Sequence, residues 1–423
     1  MKKYAELSKE ELLEIKKELS AEYEKEKALK LNLNMARGKP SSEQLDLTKK
    51  MLEITDYTAA DGTDCRNYGL LDGIPEAKAL FAEILGVDTE QVIVCGNSSL
   101  NLMYDNLLRA MQFGVLGSEK PWCKYDKIKF LCPCPGYDRH FAITEALDIE
   151  MIPVKMNSDG PDMDTVEKLV REDETIKGIW CVPMYSNPDG VTYSDDVVRR
   201  FARLSPKASD FRIFWDNAYC LHHLSDTPDK LLNIFDECKK YGSENMVYEF
   251  ASTSKISFSG GGVAVVAASK ENADFIRKQM SVQTIGFDKI NQLRHVKFFK
   301  NADGIREHMK KHAAIIKPRF DVVMNALDSE ILPLGIADYK KPNGGYFISL
   351  YTMDGCAKRT VALCKEAGLV LTGAGAAYPY GKDEHDSNIR IAPTFPTVEE
   401  LKKATELFVL CLKLAAAEKL LAE

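Results

Sequence analysis

Phe250-Ala251-Ser252-Thr253-Ser254-Lys255-Ile256-Ser257-Phe258-Ser259-Gly260-Gly261-Gly262-Val263 sets one lysine among hydroxyls and closes on three glycines. A lysine becomes a carbonyl-condensing amine when its ammonium is partly desolvated, and Phe250, Ile256 and Phe258 supply apolar surroundings. Ser252, Thr253 and Ser254 offer hydroxyl donors, and Gly260 to Gly262 let backbone N–H groups come close to an anion. Taken alone, the stretch reads more readily as a solvated lysine in a serine-rich turn. The rest of the chain has to supply the chemistry around it.

The totals narrow the field. At 423 residues the chain exceeds the size at which one core stops growing, so two domains, or one large domain with an appended small one, are expected. Charged residues make up 28% and hydrophobic residues 45%, which excludes a disordered chain, and no apolar run is long enough to span a bilayer. A formal charge of −7 without a basic run argues against nucleic acid and for small-molecule partners. Met1-Lys2-Lys3-Tyr4-Ala5-Glu6 leads into a charged helical pattern rather than a signal peptide, so a cytoplasmic protein is expected. Among the eleven cysteines, Cys132 and Cys134 have no second pair at zinc spacing; they read as reduced thiols, and no metal site is expected.

Residues 7 to 30 form a charged, exposed helix, with Ser8 and Glu11 as a capping box, followed by an extended segment that breaks at Gly38 and Pro40. Strand Gln91 to Cys95 runs into Gly96-Asn97-Ser98-Ser99, a turn that opens a helix and can seat an anion through Asn97, Ser98 and Ser99. Short apolar strands then alternate with helices: Ile128 to Cys132, Glu150 to Val154, Ile176 to Val182, Arg212 to Trp215, Met246 to Phe250 and Val263 to Ala267. The pattern predicts an α/β fold, a mostly parallel sheet between helices whose ligand lies beyond the strands' carboxyl ends. A long helical region from Lys270 to Leu327 breaks at Thr284 to Asp288, and beyond it the pattern reads as a small α+β domain.

The loops at those strand ends carry what pyridoxal phosphate (PLP) needs. Its ring nitrogen stays protonated beside a buried carboxylate, and Asp216 ends an apolar strand. Tyr137 can stack on the ring, and Tyr219 and Asn187 can both donate to its 3-oxygen. In order and spacing these loops resemble the class I/II aminotransferases of PLP fold type I over nearly the whole chain. The resemblance implies a sheet of about seven strands, Lys255 as the Schiff-base lysine and Ser252, with Ser254, as phosphate donors. It implies Asp216 as the pyridinium partner buttressed by His140, Tyr219 and Asn187 as donors to the 3-oxygen, and Tyr137 as the stacking aromatic. Gly38 and Asn187 would lie by the substrate, and Arg390 would pair with its α-carboxylate. Tyr68 would reach the phosphate of the neighbouring subunit, making the enzyme a homodimer with shared active sites.

One departure stands out. The family places a phosphate-binding arginine shortly after the lysine, where this chain has Gly260-Gly261-Gly262-Val263. With Ile389-Arg390-Ile391-Ala392-Pro393, the glycines resemble the divergent MocR-like subgroup, here without its DNA-binding domain. The expected function is transfer of the amino group of L-aspartate to 2-oxoglutarate by a ping-pong mechanism through Lys255. Another amino donor, such as alanine or an aromatic amino acid, a C–S lyase, and a PLP-sensing regulatory protein are the alternatives, and Arg37, Lys39 and Arg294 are the unranked partners for a distal carboxylate. The expected division is an N-terminal helix and arm over residues 1–50 joining the small domain, a large PLP-binding domain over 51–325, and the small domain over 326–423.

Overall fold

The computed structural model of the protein describes residues 2–422. Its first strand, Leu33–Asn34 (β1), stands apart from the main sheet. The main sheet takes β2 (Val92–Val94), β3 (Lys129–Cys134), β4 (Glu150–Asn157), β5 (Gly160–Pro161), β6 (Ile176–Cys181), β7 (Arg212–Asp216), β8 (Val247–Ser252) and β9 (Ala264–Ala268). They lie in the order β2-β9-β8-β7-β6-β3-β4-β5. The expected strands are all there, and the two-residue edge strand β5 adds one more. β4, β3, β6, β7 and β8 are mutually parallel, while β9 runs antiparallel between β2 and β8.

A sheet covered on both faces turns alternate apolar residues to opposite sides. Val92, Val94, Leu131, Ile179, Ile213, Trp215 and Val265 join one apolar core. Ile93, Phe130, Trp180, Phe214, Phe250 and Val266 join the core of the other face. In that second core Phe130 lies 5.6 Å from Trp180 and 5.6 Å from Phe214 by ring centroids. The thiols of Cys132 and Cys134 are buried in β3.

A separate core joins the two ends of the chain. Tyr4, Leu12, Tyr23 and Met35 pack with Phe320, Ile348, Leu350, Leu401 and Phe408. The N-terminal helix Lys9–Ala28 is therefore not simply exposed: Leu12 and Tyr23 are buried, and the Tyr23 hydroxyl donates to Leu363 O at 3.0 Å. The capping box is present, with Ser8 Oγ accepting from Glu11 N at 3.2 Å and Glu11 Oε2 from Ser8 N at 2.7 Å. In this part β10 (Ala337–Tyr339), β11 (Ile348–Thr352) and β13 (Asn388–Ile391) form an antiparallel sheet, and β12 (Leu369–Val370) pairs with β1. β10 is absent from the sequence reading. So is a second break in the helical region, where Lys300 takes a φ of 70° between helices Lys289–Phe299 and Ala302–Ala326. No helix among the described residues is long and apolar enough to cross a membrane.

The packing leaves no room for a methyl group at Gly178 in β6, where a Cβ would stand 2.3 Å from Phe130 Cζ. Gly178→Ala should therefore cost about 1–3 kcal/mol by overpacking. Thermal unfolding would show a clear drop in Tm, and an unchanged Tm would mean that the aromatic core yields freely.

Candidate active site

Asp216 is the last residue of β7, whose five residues are all buried. A carboxylate carried there by an apolar strand must find a partner. It is 3% exposed, and its Oδ2 lies 3.1 Å from His140 Nε2. His140 stands in the helix Asp138–Ala146 and stacks on Trp180 with ring centroids 4.4 Å apart and planes at 10°. Trp180 Nε1 donates to Thr144 Oγ1 at 2.8 Å, and that hydroxyl donates to His140 O at 2.7 Å, which fixes the imidazole from below. Asp216 Oδ1 is buried and has no hydrogen-bond partner among the described residues.

That unpartnered oxygen belongs to a residue lining a cavity together with Ser98, Ser99, Tyr137, Asn187, Tyr219, Ser252, Ser254 and Lys255. Sequence separation is no obstacle, because each residue follows the carboxyl end of a strand or opens the helix next to one. Leu100, Val182 and Ala218 complete the wall. Lys255 Nζ lies 5.0 Å from the Tyr219 ring centroid and 6.0 Å from that of Tyr346. Burial lowers the pKa of its ammonium, and the negative charge of Asp216 opposes the shift without cancelling it. Burial also raises the Tyr219 phenol, and pushes that of Tyr137 up to about 12, so both are protonated donors near neutrality.

The lysine loop is pinned on three sides. At its neck Thr253 N donates to Val263 O and Val263 N to Thr253 Oγ1. Below, the Ser257 hydroxyl lies 2.7 Å from His295 Nε2, and burial holds that imidazole at about 4, hence neutral. Above, Tyr346 OH donates to Lys255 O at 3.4 Å and accepts from Gln44 Nε2 at 2.9 Å. The sequence reading missed Gln44, Tyr346 and His295; each is remote from the lysine in the chain and carries no local signal.

At the anion end, Ser98 caps the helix Ser99–Phe113, so unpaired N–H groups face the same corner as Ser252 and Ser254. Ser254 Oγ donates to Asn97 O at 2.7 Å, joining this turn to the lysine loop. Asn97 itself is exposed and does not line the cavity. Among the described residues Lys255 is the one cationic side chain in the lining, so an anion here meets neutral donors and a helix terminus. Asn291 Nδ2 donates to Gly261 O at 2.9 Å and Gly262 O at 3.0 Å, so the glycine carbonyls are already engaged.

Arg390, in β13, is 8% exposed. Its Nη1 donates to Asp138 Oδ1 at 2.7 Å and to Asn187 Oδ1 at 3.2 Å, and its Nη2 to Thr372 Oγ1 at 3.3 Å. The guanidinium lies 5.0 Å from the Phe347 ring centroid. A Cβ on Gly38 would meet Phe347 Cζ at 2.6 Å, so the bare backbone of the arm presses against the ring beside the arginine. Tyr68 lies outside the cavity, 81% exposed. Neither Arg37, Lys39 nor Arg294 lines it: Arg37 is exposed, Lys39 stands 3.7 Å over the Phe395 ring, and Arg294 Nε donates to Ile54 O at 3.1 Å.

This donor set fits PLP. Asp216 has a free buried oxygen that a protonated ring nitrogen would satisfy, Tyr219 and Asn187 bring donors that would suit an electron-rich ring oxygen, and the serine-lined helix terminus suits a phosphate. A family model described as aspartate amino-transferase matches residues 7–423. An aspartate aminotransferase of Corynebacterium glutamicum is 45% identical over 404 residues, covering 95% of this chain and 93% of that protein. The crystal structure of an aspartate transaminase from Corynebacterium glutamicum matches with a TM-score of 0.95 at 44% identity over 98% of both chains. The fold is shared, at 18% identity and a TM-score of 0.72, with the α-aminoadipate aminotransferase LysN of Thermus thermophilus, solved with N-(5'-phosphopyridoxyl)-L-leucine. That match covers 93% of this chain and 94% of LysN.

Because burial favours the neutral amine, Lys255 in the unliganded protein should react with an amine reagent with a pH midpoint below the ordinary lysine value of about 10.4. Asp216→Asn removes the charge that supports the ammonium and should lower that midpoint further. Peptide mapping of labelled protein measures both; an ordinary midpoint, or an upward move in the variant, would contradict the assignment.

Proposed function

The chain belongs to the aspartate aminotransferase family, PLP-dependent enzymes of fold type I, and from that membership we propose that it passes the amino group of L-aspartate to 2-oxoglutarate. The observation that carries the chemistry is the buried, unpartnered Oδ1 of Asp216 beside a cavity that also holds Lys255. The choice of donor rests on the relatives named above.

When bound, PLP supplies a carbonyl for condensation with an amine and a cationic ring that takes up the electron pair left at the substrate's α-carbon. In the proposed mechanism Asp216 holds a proton on the ring nitrogen, with His140 fixing its other oxygen. Tyr219 and Asn187 donate to the ring's 3-oxygen, and Tyr137 packs on the ring face. Ser98, Ser99, Ser252 and Ser254 bind the phosphate, with Asn97 shaping the turn. Arg390 takes the substrate α-carboxylate, and Gly38 gives the arm a close approach to it. With PLP bound, Lys255 would be the base that takes the proton from the substrate's α-carbon and the acid that returns it at the cofactor's C4′, on the far side of the nitrogen. Departure of one keto acid and entry of another through the same site make the reaction ping-pong.

The same reading makes the enzyme a cytoplasmic homodimer, with exposed Tyr68 reaching the partner's phosphate. It divides the chain into an arm over residues 1–50 that joins a small domain over 326–423, and a large domain over 51–325. The separate apolar core that gathers Tyr4, Leu12 and Met35 with residues beyond 320 supports this division.

A screen of amino donors against 2-oxoglutarate should give the highest kcat/KM with L-aspartate. Lys255→Ala should lose about 10⁴-fold or more in kcat while remaining folded. A faster alanine or aromatic donor would replace the assigned substrate, and pyruvate release from cysteine conjugates without a keto acid would make the protein a lyase.

A further inference from the structure

Arg390 lies in a setting that does not tolerate an uncompensated charge. A buried guanidinium without a counter-ion is strongly disfavoured, and among the described residues the only carboxylate bonded to it is that of Asp138, at 2.7 Å. Its other acceptors, Asn187 Oδ1 and Thr372 Oγ1, are neutral, and its Nε is buried with no partner among the described residues. The arginine assigned to the substrate's α-carboxylate thus already carries one carboxylate of the chain itself.

Asp138 is built to let go. It opens the helix Asp138–Ala146 directly after Tyr137, and its side chain keeps 31% of its exposure while that of Arg390 keeps 8%. Solvent on one side and the positive end of the helix on the other give its carboxylate somewhere to go when it leaves the guanidinium. A substrate carboxylate arriving at Arg390 has to share the guanidinium with Asp138 or displace it, and two like charges beside one cation repel.

We propose that Asp138 is an internal stand-in for the substrate α-carboxylate, pairing with Arg390 when the site is empty and loosening every carboxylate that binds there. The inference rests on the reading that Arg390 receives that carboxylate. Amino acid and keto acid are affected alike, so Asp138 raises KM for both substrates and re-pairs with Arg390 as each product leaves. Weakened binding of this uniform kind leaves the barrier from the bound state untouched, so it does not lower kcat.

A residue that merely oriented Arg390 would have the opposite effect, and this separates the two roles. Asp138→Asn keeps an acceptor at the position and removes the charge. In the holoenzyme it should lower KM for L-aspartate and for 2-oxoglutarate, and the Kd of succinate, an unreactive dicarboxylate followed by calorimetry, by about fivefold or more. Asp138→Glu, which returns the charge, should move all three back toward the wild-type values. Unchanged or weaker succinate binding in Asp138→Asn would overturn the proposal. Arg390→Gln tests the reading beneath it: loss of succinate binding in that variant upholds the arginine's role whatever Asp138 does, whereas unaltered binding removes that role and the proposal with it.

Discussion

The site depends on a carboxylate placed where carboxylates are unstable. β7 is buried throughout, and it delivers Asp216 into a wall of rings with one oxygen on His140 and the other on nothing. Such a group is disfavoured by burial unless something cationic completes it. The surrounding parts can be understood as holding that incomplete pair in place: Trp180 and Thr144 lock the imidazole, and the parallel strands β6 and β8 flank β7 on either side. Among the described residues the fold gives the acid no second partner.

The glycines after the lysine take on a different meaning once their contacts are known. Gly260 has open space around it, and a Cβ there would touch nothing. At Gly262 a Cβ would stand 3.0 Å from Ser254 N and 3.2 Å from Asn97 O. The absence of a side chain at Gly262 thus serves the close passage of two loops, the lysine loop and the turn after β2. In the proposed phosphate site, hydroxyls and a helix terminus, which bind anions through oriented dipoles, stand where an arginine would have supplied a charge. Net charge in the pocket is correspondingly low, and Lys255 keeps its depressed pKa without a second cation beside it.

Much of this was legible because chemistry in a parallel sheet gathers at strand ends. An apolar run that ends on Asp216 or on Ser252 states both that a strand is ending and what it ends on. Other features left no such trace. Asp138 sits directly after Tyr137, yet its role comes from Arg390, on a β-strand of the other apolar core and 252 positions away. Gln44 steadies the lysine from the arm and Tyr346 from the segment just before β11, and nothing near either residue announces it. β1 and β12 are two residues long, below the length at which alternation can be seen. The break at Lys300 uses a positive φ on a residue that rarely adopts one, so the usual glycine signal is missing.

The antiparallel placement of β9 has a consequence for how the protein comes into being. β9 lies between β2 and β8, with Cys95 N bonded to Ala264 O and Ala264 N to Gly96 O. The turn that seats the anion is therefore stitched to the lysine loop by strands far apart along the chain. During synthesis the first half of the pocket emerges early and must wait, its edge unpaired, until the last strand of the sheet arrives to close it. Pairings of such long sequence separation are slow to form and leave apolar edges exposed in the meantime. A chain stalled before β9 already carries every residue that lines the cavity, from Ser98 to Lys255, yet lacks the strand that holds the turn after β2 against the lysine loop.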